Sequence, residues 1–186
     1  AVIRDALAAV ARNTGRVIDY ATWDPLSDPA TNELIRRGDT MGCFYVESPA
    51  TRLLLKKLWV GMPPARRAVA DVFEYLVVVS SIIRPAANVF ADEFVRRAHG
   101  QRYQSLHPLF DEVLAETHGI MVYQEDVMNV AVALGGFSVE DGDQLRKVLS
   151  KKHKERQLRD YQRQFYQGAM ARGAECRVID AIWAMI

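Results

Sequence analysis

The sequence predicts a mainly α-helical protein, and three observations predict it. Apolar residues recur at helical spacing, beginning with Val2, Ile3, Ala6, Leu7 and Val10. Helix starts are marked twice by a capping residue followed by proline, at Asp28-Pro29 and Ser48-Pro49. Helix ends are marked by Gly38, Gly100, Gly119 and Gly173, the residue type best suited to a left-handed C-terminal cap.

Taken in order, the opening helix carries Arg4, Asp5 and Arg12 on its polar face and closes at Asn13-Thr14-Gly15. The Asp28-Pro29 signal opens a short helix that runs to Arg37 and stops at Gly38. Gly42 to Val46 is β-prone but brief, which predicts a strand-like connector feeding the helix that carries Leu53, Leu54, Leu55 and Leu58. From Pro64, the positions Val69, Val72, Phe73, Leu76 and Val77 predict one helix up to Arg84-Pro85. There the proline ring disfavours helix at Arg84, which predicts a bend. Two more helices are predicted, from about Asn88 to His99 and from Pro108 to His118, each stopped by a glycine. Ile120 to Tyr123 is an apolar connector, and Gln124 to Leu134 carries Val127, Met128, Ala131 and Leu134 on one face before Gly135-Gly136. Ser138 with Asp141 has the form of a capping box and opens a helix that buries Leu145, Val148 and Leu149, its basic positions opposite. A long helix then sets Leu158, Tyr161, Phe165 and Ala169 on its inner face and Arg156, Arg159 and Arg163 on another. No repeat or low-complexity linker divides the chain, so residues 1–186 read as a single segment.

Composition bounds the function without naming it. A hydrophobic fraction of 49% and a charged fraction of 25% exclude disorder and fibrous repeats. The net charge of +1 conceals a basic stretch from Arg146 to Arg163 and an acidic lean from Asp111 to Asp143. Cys43 and Cys176 lie far apart with no Cys-x-x-Cys pairing, which predicts a reduced, cytoplasmic protein. The apolar run from Leu76 to Ile83 falls short of the roughly 20 residues that span a bilayer, so no membrane association is predicted. The first residues already have helical spacing, and Val178, Ile179, Ile182, Trp183 and Ile186 keep it to the last position. Both ends therefore read as cuts through the ordered structure of a longer chain.

Catalytic machinery is harder to find. Two-metal phosphoryl transfer needs carboxylates converging on ions roughly 4 Å apart. Asp141 and Asp143 are the nearest approach to such a pair, but helix residues two apart point away from each other, so capping and dipole complementation are the favoured reading. Glu125-Asp126 invites the same reading. His99, His107, His118 and His153 show no zinc-ligand spacing, and His99 and His118 each precede a glycine at a predicted helix end, where a partly charged imidazole suits the negative pole of the dipole. No Walker loop, dinucleotide glycine pattern or serine-nucleophile elbow is present. What remains is cationic: Arg146, Lys147, Lys151, Lys152, Lys154, Arg156, Arg159 and Arg163 are opposed by only Glu155 and Asp160. By spacing alone this is either a solvated helix face or a surface that attracts phosphate.

Three segments, in order, resemble one family. Leu34 to Ser48 is similar to L-x-x-x-G-D-T-x-G-x-F-Q-L-E-S, followed by Arg52-Leu53-Leu54. Gly119 to Met128 is similar to G-I-x-V-Y-Q-E-Q-V-M. Asp143 to Lys152 is similar to A-D-x-L-R-R-A-M-G-K-K. These motifs belong to the fingers region of the bacterial DNA polymerase III alpha subunit, the C-family polymerases, and the resemblance covers nearly the whole chain. Two departures stand out: the family's R-P-G-P reads Arg84-Pro85-Ala86-Ala87, and the second arginine of L-R-R is Lys147, which keeps the charge but loses the planar fork.

The resemblance implies a multi-helix fingers-type domain with short extended connectors, taken from a DNA-directed DNA polymerase. It implies that Arg146 and Lys147 face the incoming nucleoside triphosphate, with Lys151 and Lys152 reinforcing the field and Arg84 a further candidate beside a packing role at its bend. Lys154, Arg156, Arg159 and Arg163 are the candidates for contact with nucleic acid. Tyr123-Gln124-Glu125 is read either as lining the nucleotide or template side or, for Tyr123, as core. Glu47 and Ser48 are read as helix-start residues. The family's P-D-x-D-x-D-F motif does not occur in these residues. The resemblance therefore implies that the two magnesium ions sit on carboxylates elsewhere in the parent, that this segment holds no cofactor, and that it is inactive alone. Primer-template DNA and deoxynucleotide are the implied partners, together with a sliding clamp bound through other regions. A self-contained helical module for nucleic acid or for protein contacts is the alternative.

Overall fold

A computed structural model describes residues 2–83, 88–149 and 155–186, with the backbone alone at 88 and 89. Its elements are α1 Val2–Thr14, α2 Pro29–Arg37, α3 Pro49–Val60, α4 Pro64–Val69, α5 Val72–Ile82, α6 Asn88–Ala98, α7 Pro108–Val113, α8 Gln124–Ala133, α9 Val139–Leu149, α10 Glu155–Ala171 and α11 Cys176–Trp183. The mainly helical class holds, and no strand occurs among the described residues. The predicted bend at Arg84-Pro85 lies outside them.

Local capping sets the boundaries. The Asp28 carboxylate accepts the Thr31 amide at 2.8 Å, and the Ser48 hydroxyl accepts the Thr51 amide at 3.2 Å. Proline occupies the first turn of both helices. The predicted helix from Pro64 is in fact two. Ala70 is extended, and Asp71 then accepts the amides of Phe73 and Glu74 at 2.7 and 3.0 Å, so a fresh cap interrupts an apolar pattern that reads as continuous. The helix from Pro108 ends at Val113, and the backbone turns from there to Gly119. The predicted strand-like connector at 42–46 is also a run of turns. Its residue types favour strands, but Gly42 and Tyr45 take left-handed φ values of 81° and 72°, which no strand accommodates.

The interior falls into two clusters. Leu55, Leu58 and Trp59 of α3 meet Val79 of α5 and Phe94 of α6 in the first. Phe110, Val130, Leu134, Leu145, Phe165, Ile179 and Ile182 form the second, drawn from α7 to α11. Ile120 to Tyr123 joins them: in extended chain alternate side chains face opposite ways, so Ile120 and Val122 enter the first cluster while Met121 packs on the second. In α1, by contrast, no residue is fully buried, and Leu7, Ala9, Val10 and Ala11 are only half-buried.

Candidate functional site

Two of the cations singled out in the sequence, Arg146 and Lys147, are positioned by the packing of α9 against α8. Asp126 reaches back from the first turn of α8 and accepts the amides of Val122 and Tyr123, each at 2.8 Å, which fixes the entry of the connector and bears out its reading as a capping residue. Burial pushes the Asp126 carboxyl up, against the pull of those two amides. Further along α8, Met128 and Val132 face Gly142, in the interior of α9. A Cβ there would stand 2.9 Å from Met128 Cγ and 3.3 Å from the Met128 carbonyl oxygen. Glycine inside a helix costs about 1 kcal/mol against alanine, and here it permits the close approach of the two helices. Leu145 is fully buried beneath, so the opposite face of α9 is turned outward.

That outward face carries Asp143, Arg146 and Lys147, neighbours at helical i, i+3 and i+4 spacing. Asp143 Oδ1 accepts Arg146 Nε at 3.1 Å and Nη2 at 2.6 Å, and Lys147 Nζ lies 2.6 Å from Oδ2. Arg146 Nη1 also donates to Gln124 Oε1 at 3.4 Å, linking α9 to the start of α8. Lys147 and then Arg146 hold the Asp143 carboxyl below the usual carboxylate range, so it is ionised at neutral pH. The capping role read for Asp143 is thereby corrected. Ser138 and Asp141 already cap α9, through the Asp141 amide at 3.0 Å and the Ser138 hydroxyl at 2.8 Å, while Asp143 sits a turn further in.

Beside Arg146 opens a groove of about 400 Å³, lined by Tyr123, Gln124, Val127, Arg146, Leu149 and Met185 among others. Leu149 was expected in the core and is instead exposed along it. Tyr123 packs on the first cluster, as its core reading has it, and it also lines the groove. Glu125 lines a different pocket. Arg156, Arg159 and Arg163 are exposed on α10 and do not line the groove, and Arg163 lies 3.9 Å from Asp160. Arg84, Lys151, Lys152 and Lys154 lie outside the described residues.

Other polar groups proved architectural. His99 Nε2 donates to the Leu58 carbonyl at 2.8 Å, tying α6 to α3 rather than answering its own helix dipole. His118 has φ 54°, shares a 3.0 Å hydrogen bond with Tyr75 Oη, and is held below its ordinary pKa by burial, with Arg66 and Arg97 adding to the effect. The charged imidazole expected there is thus disfavoured. Glu47 accepts the Gly42 amide at 3.2 Å and braces the 39–46 loop instead of starting a helix, whereas Ser48 does cap α3. Among the described residues no three His, Cys, Asp or Glu side chains converge as a metal cage, and Asp141 and Asp143 are committed to the cap and the ion pairs.

A family model described as the bacterial DNA polymerase III alpha subunit finger domain matches residues 1–173. The chain belongs to this finger-domain family. It is 37% identical over 151 residues to DNA polymerase III subunit alpha of Chlamydia pneumoniae, covering 81% of this chain and 11% of that protein. Against the subunits of Chlamydia muridarum and Mycobacterium leprae it is 34% identical over 182 and 195 residues, covering 97% and 100% of this chain but 14% and 15% of theirs. The chain thus spans a small part of the length of the relatives it matches. In this finger domain the three motif segments have separate tasks: the first builds a braced loop, the second joins the two cores, and the third presents cations. No helix among the described residues is long and apolar enough to cross a membrane.

Proposed function

We propose that this finger domain serves a bacterial DNA-directed DNA polymerase by gripping the phosphates of the incoming deoxynucleoside triphosphate through Arg146 and Lys147. The observation that carries the reading is that both cations stand together on the outward face of α9, with Arg146 at the wall of an open groove. Charge on the transferring phosphates has to be neutralised and oriented, and guanidinium and ammonium groups do both. Lys151, Lys152 and Arg84 extend this cationic set in the proposal. Lys154, Arg156, Arg159 and Arg163 contact the DNA backbone, a role supported by the outward exposure of the three arginines on α10. In this reading the parent's two magnesium ions sit on carboxylates outside this chain; among the described residues no three acidic, His or Cys side chains gather into a cage. It follows that the segment alone is inactive. In the parent it acts in the cytoplasm on primer-template DNA, with the sliding clamp engaged through other regions.

In the full-length polymerase, Arg146→Ala is expected to weaken nucleotide binding by about 1–3 kcal/mol, the scale of hydrogen bonds to charged groups. Single-nucleotide incorporation kinetics measure this as a raised KM for the nucleotide. An unchanged KM would remove the assignment.

A further inference from the structure

We infer that Asp143 is a positioning residue for nucleotide binding, its carboxylate holding the Arg146 head group, at the groove wall, side by side with that of Lys147 before the triphosphate arrives. The inference rests on the phosphate-binding reading of those two residues and adds to it the group that sets their geometry.

Three donor nitrogens converge on one carboxylate: two from Arg146 on Oδ1, at 3.1 and 2.6 Å, and one from Lys147 on Oδ2 at 2.6 Å. The backbone from which all three side chains spring is fixed from behind, by Gly142 against Met128 and by Leu145 in the second core. Arg146 is steadied from the side as well, by Gln124 of α8. One negative charge against two positive ones leaves the cluster net positive, so it still attracts phosphate. What the carboxylate removes is freedom. Arginine and lysine are the most rotamer-rich side chains, and ordering such a chain at the moment of binding weakens affinity roughly two- to tenfold each. A carboxylate that orders both beforehand lifts that cost from the nucleotide. Helix capping does not account for Asp143, because Ser138 and Asp141 already close the start of α9.

The test is nucleotide incorporation by the full-length polymerase carrying this segment, comparing Asp143→Asn, Asp143→Glu, the Arg146→Ala/Lys147→Ala pair, and that pair combined with Asp143→Asn. Asp143→Asn is nearly isosteric at a position that is not buried, so α9 should keep its place. Its expected effect is a rise in nucleotide KM of about tenfold with kcat little changed, by the side-chain ordering argument. Asp143→Glu should restore part of the loss, and adding Asp143→Asn to the pair variant should change nothing further. A KM left unchanged by Asp143→Asn, or lowered because the carboxylate competes with phosphate, would overturn the inference. So would a full additional loss in the triple variant, which would show Asp143 acting independently of the two cations. If the pair variant itself leaves KM unchanged, the nucleotide-binding reading falls. If the pair variant raises KM while Asp143→Asn does not, only the positioning role falls.

Discussion

The loop from Gly38 to Ser48 and the outward face of α9 both carry family motifs, yet they use their polar groups in opposite ways. In the loop they turn inward on its own backbone: Thr40 is buried with its hydroxyl on the Val46 carbonyl at 2.6 Å, Glu47 holds the Gly42 amide, and Arg52 Nε donates to the Gly38 carbonyl at 3.0 Å. On α9 they stand on the outward face, Asp143 and Arg146 half-buried and Lys147 exposed, and bind each other across a single turn. A dense motif is therefore not evidence of a binding site. The partner of each polar group tells the two cases apart.

The sharpest way to break this comparison is Gly38→Ala. Gly38 has φ 66°, and a Cβ there would collide with the Arg52 carbonyl oxygen of α3. Left-handed strain and overpacking together predict a loss of about 2–4 kcal/mol in local stability. Hydrogen exchange across α2 and α3 in the full-length protein should report the loss, while nucleotide KM stays unchanged. A KM that rose with no loss of protection would make the loop a binding element. Thr40→Val comes next, with about 1 kcal/mol expected from the lost hydrogen bond and protection reduced in the loop alone. Equal protection in the variant and the parent would mean that this bond does not brace the turn.

The smallest effect is one of pH. His118 is buried beside Tyr75 and its folded pKa is depressed, so the folded state binds fewer protons than the unfolded one. The stability tied to it is whole above about 6.5, the ordinary histidine value, and is lost as pH falls below that toward the folded pKa. Over the same interval Asp143, held below the usual carboxylate range, stays ionised and keeps its partners. Protection around α5 and α6, after allowance for the slower intrinsic exchange of amides in acid, should fall on mild acidification, and His118→Gln should flatten that response. A fall in protection centred on α9 instead would reverse the assignment.

Much of the fold was legible because capping is local. Asp28-Pro29, Ser48-Pro49 and Ser138 with Asp141 each act within three residues, and each opens its helix as read. Asp71 followed by Val72 was a signal of the same kind, hidden because the apolar spacing ran on through the break between α4 and α5. The ion pairs of Asp143 were legible too, since aspartate followed by cations at i+3 and i+4 is a helical pairing pattern, although a place two residues after Asp141 equally fits a pair of helix-start carboxylates.

By itself, then, the sequence determined the helical class, most helix starts and stops, the family, and the identity of the cationic residues, because each rests on neighbours a few positions apart or on ordered motifs. Only the tertiary structure decided that Arg146 meets Gln124, 22 residues away, that Tyr123 serves both a core and a groove, and that His99 and His118 are structural. Those outcomes depend on which helix faces pack together, and close contacts such as Gly142 on Met128 arise from shape across distant segments that no local pattern records.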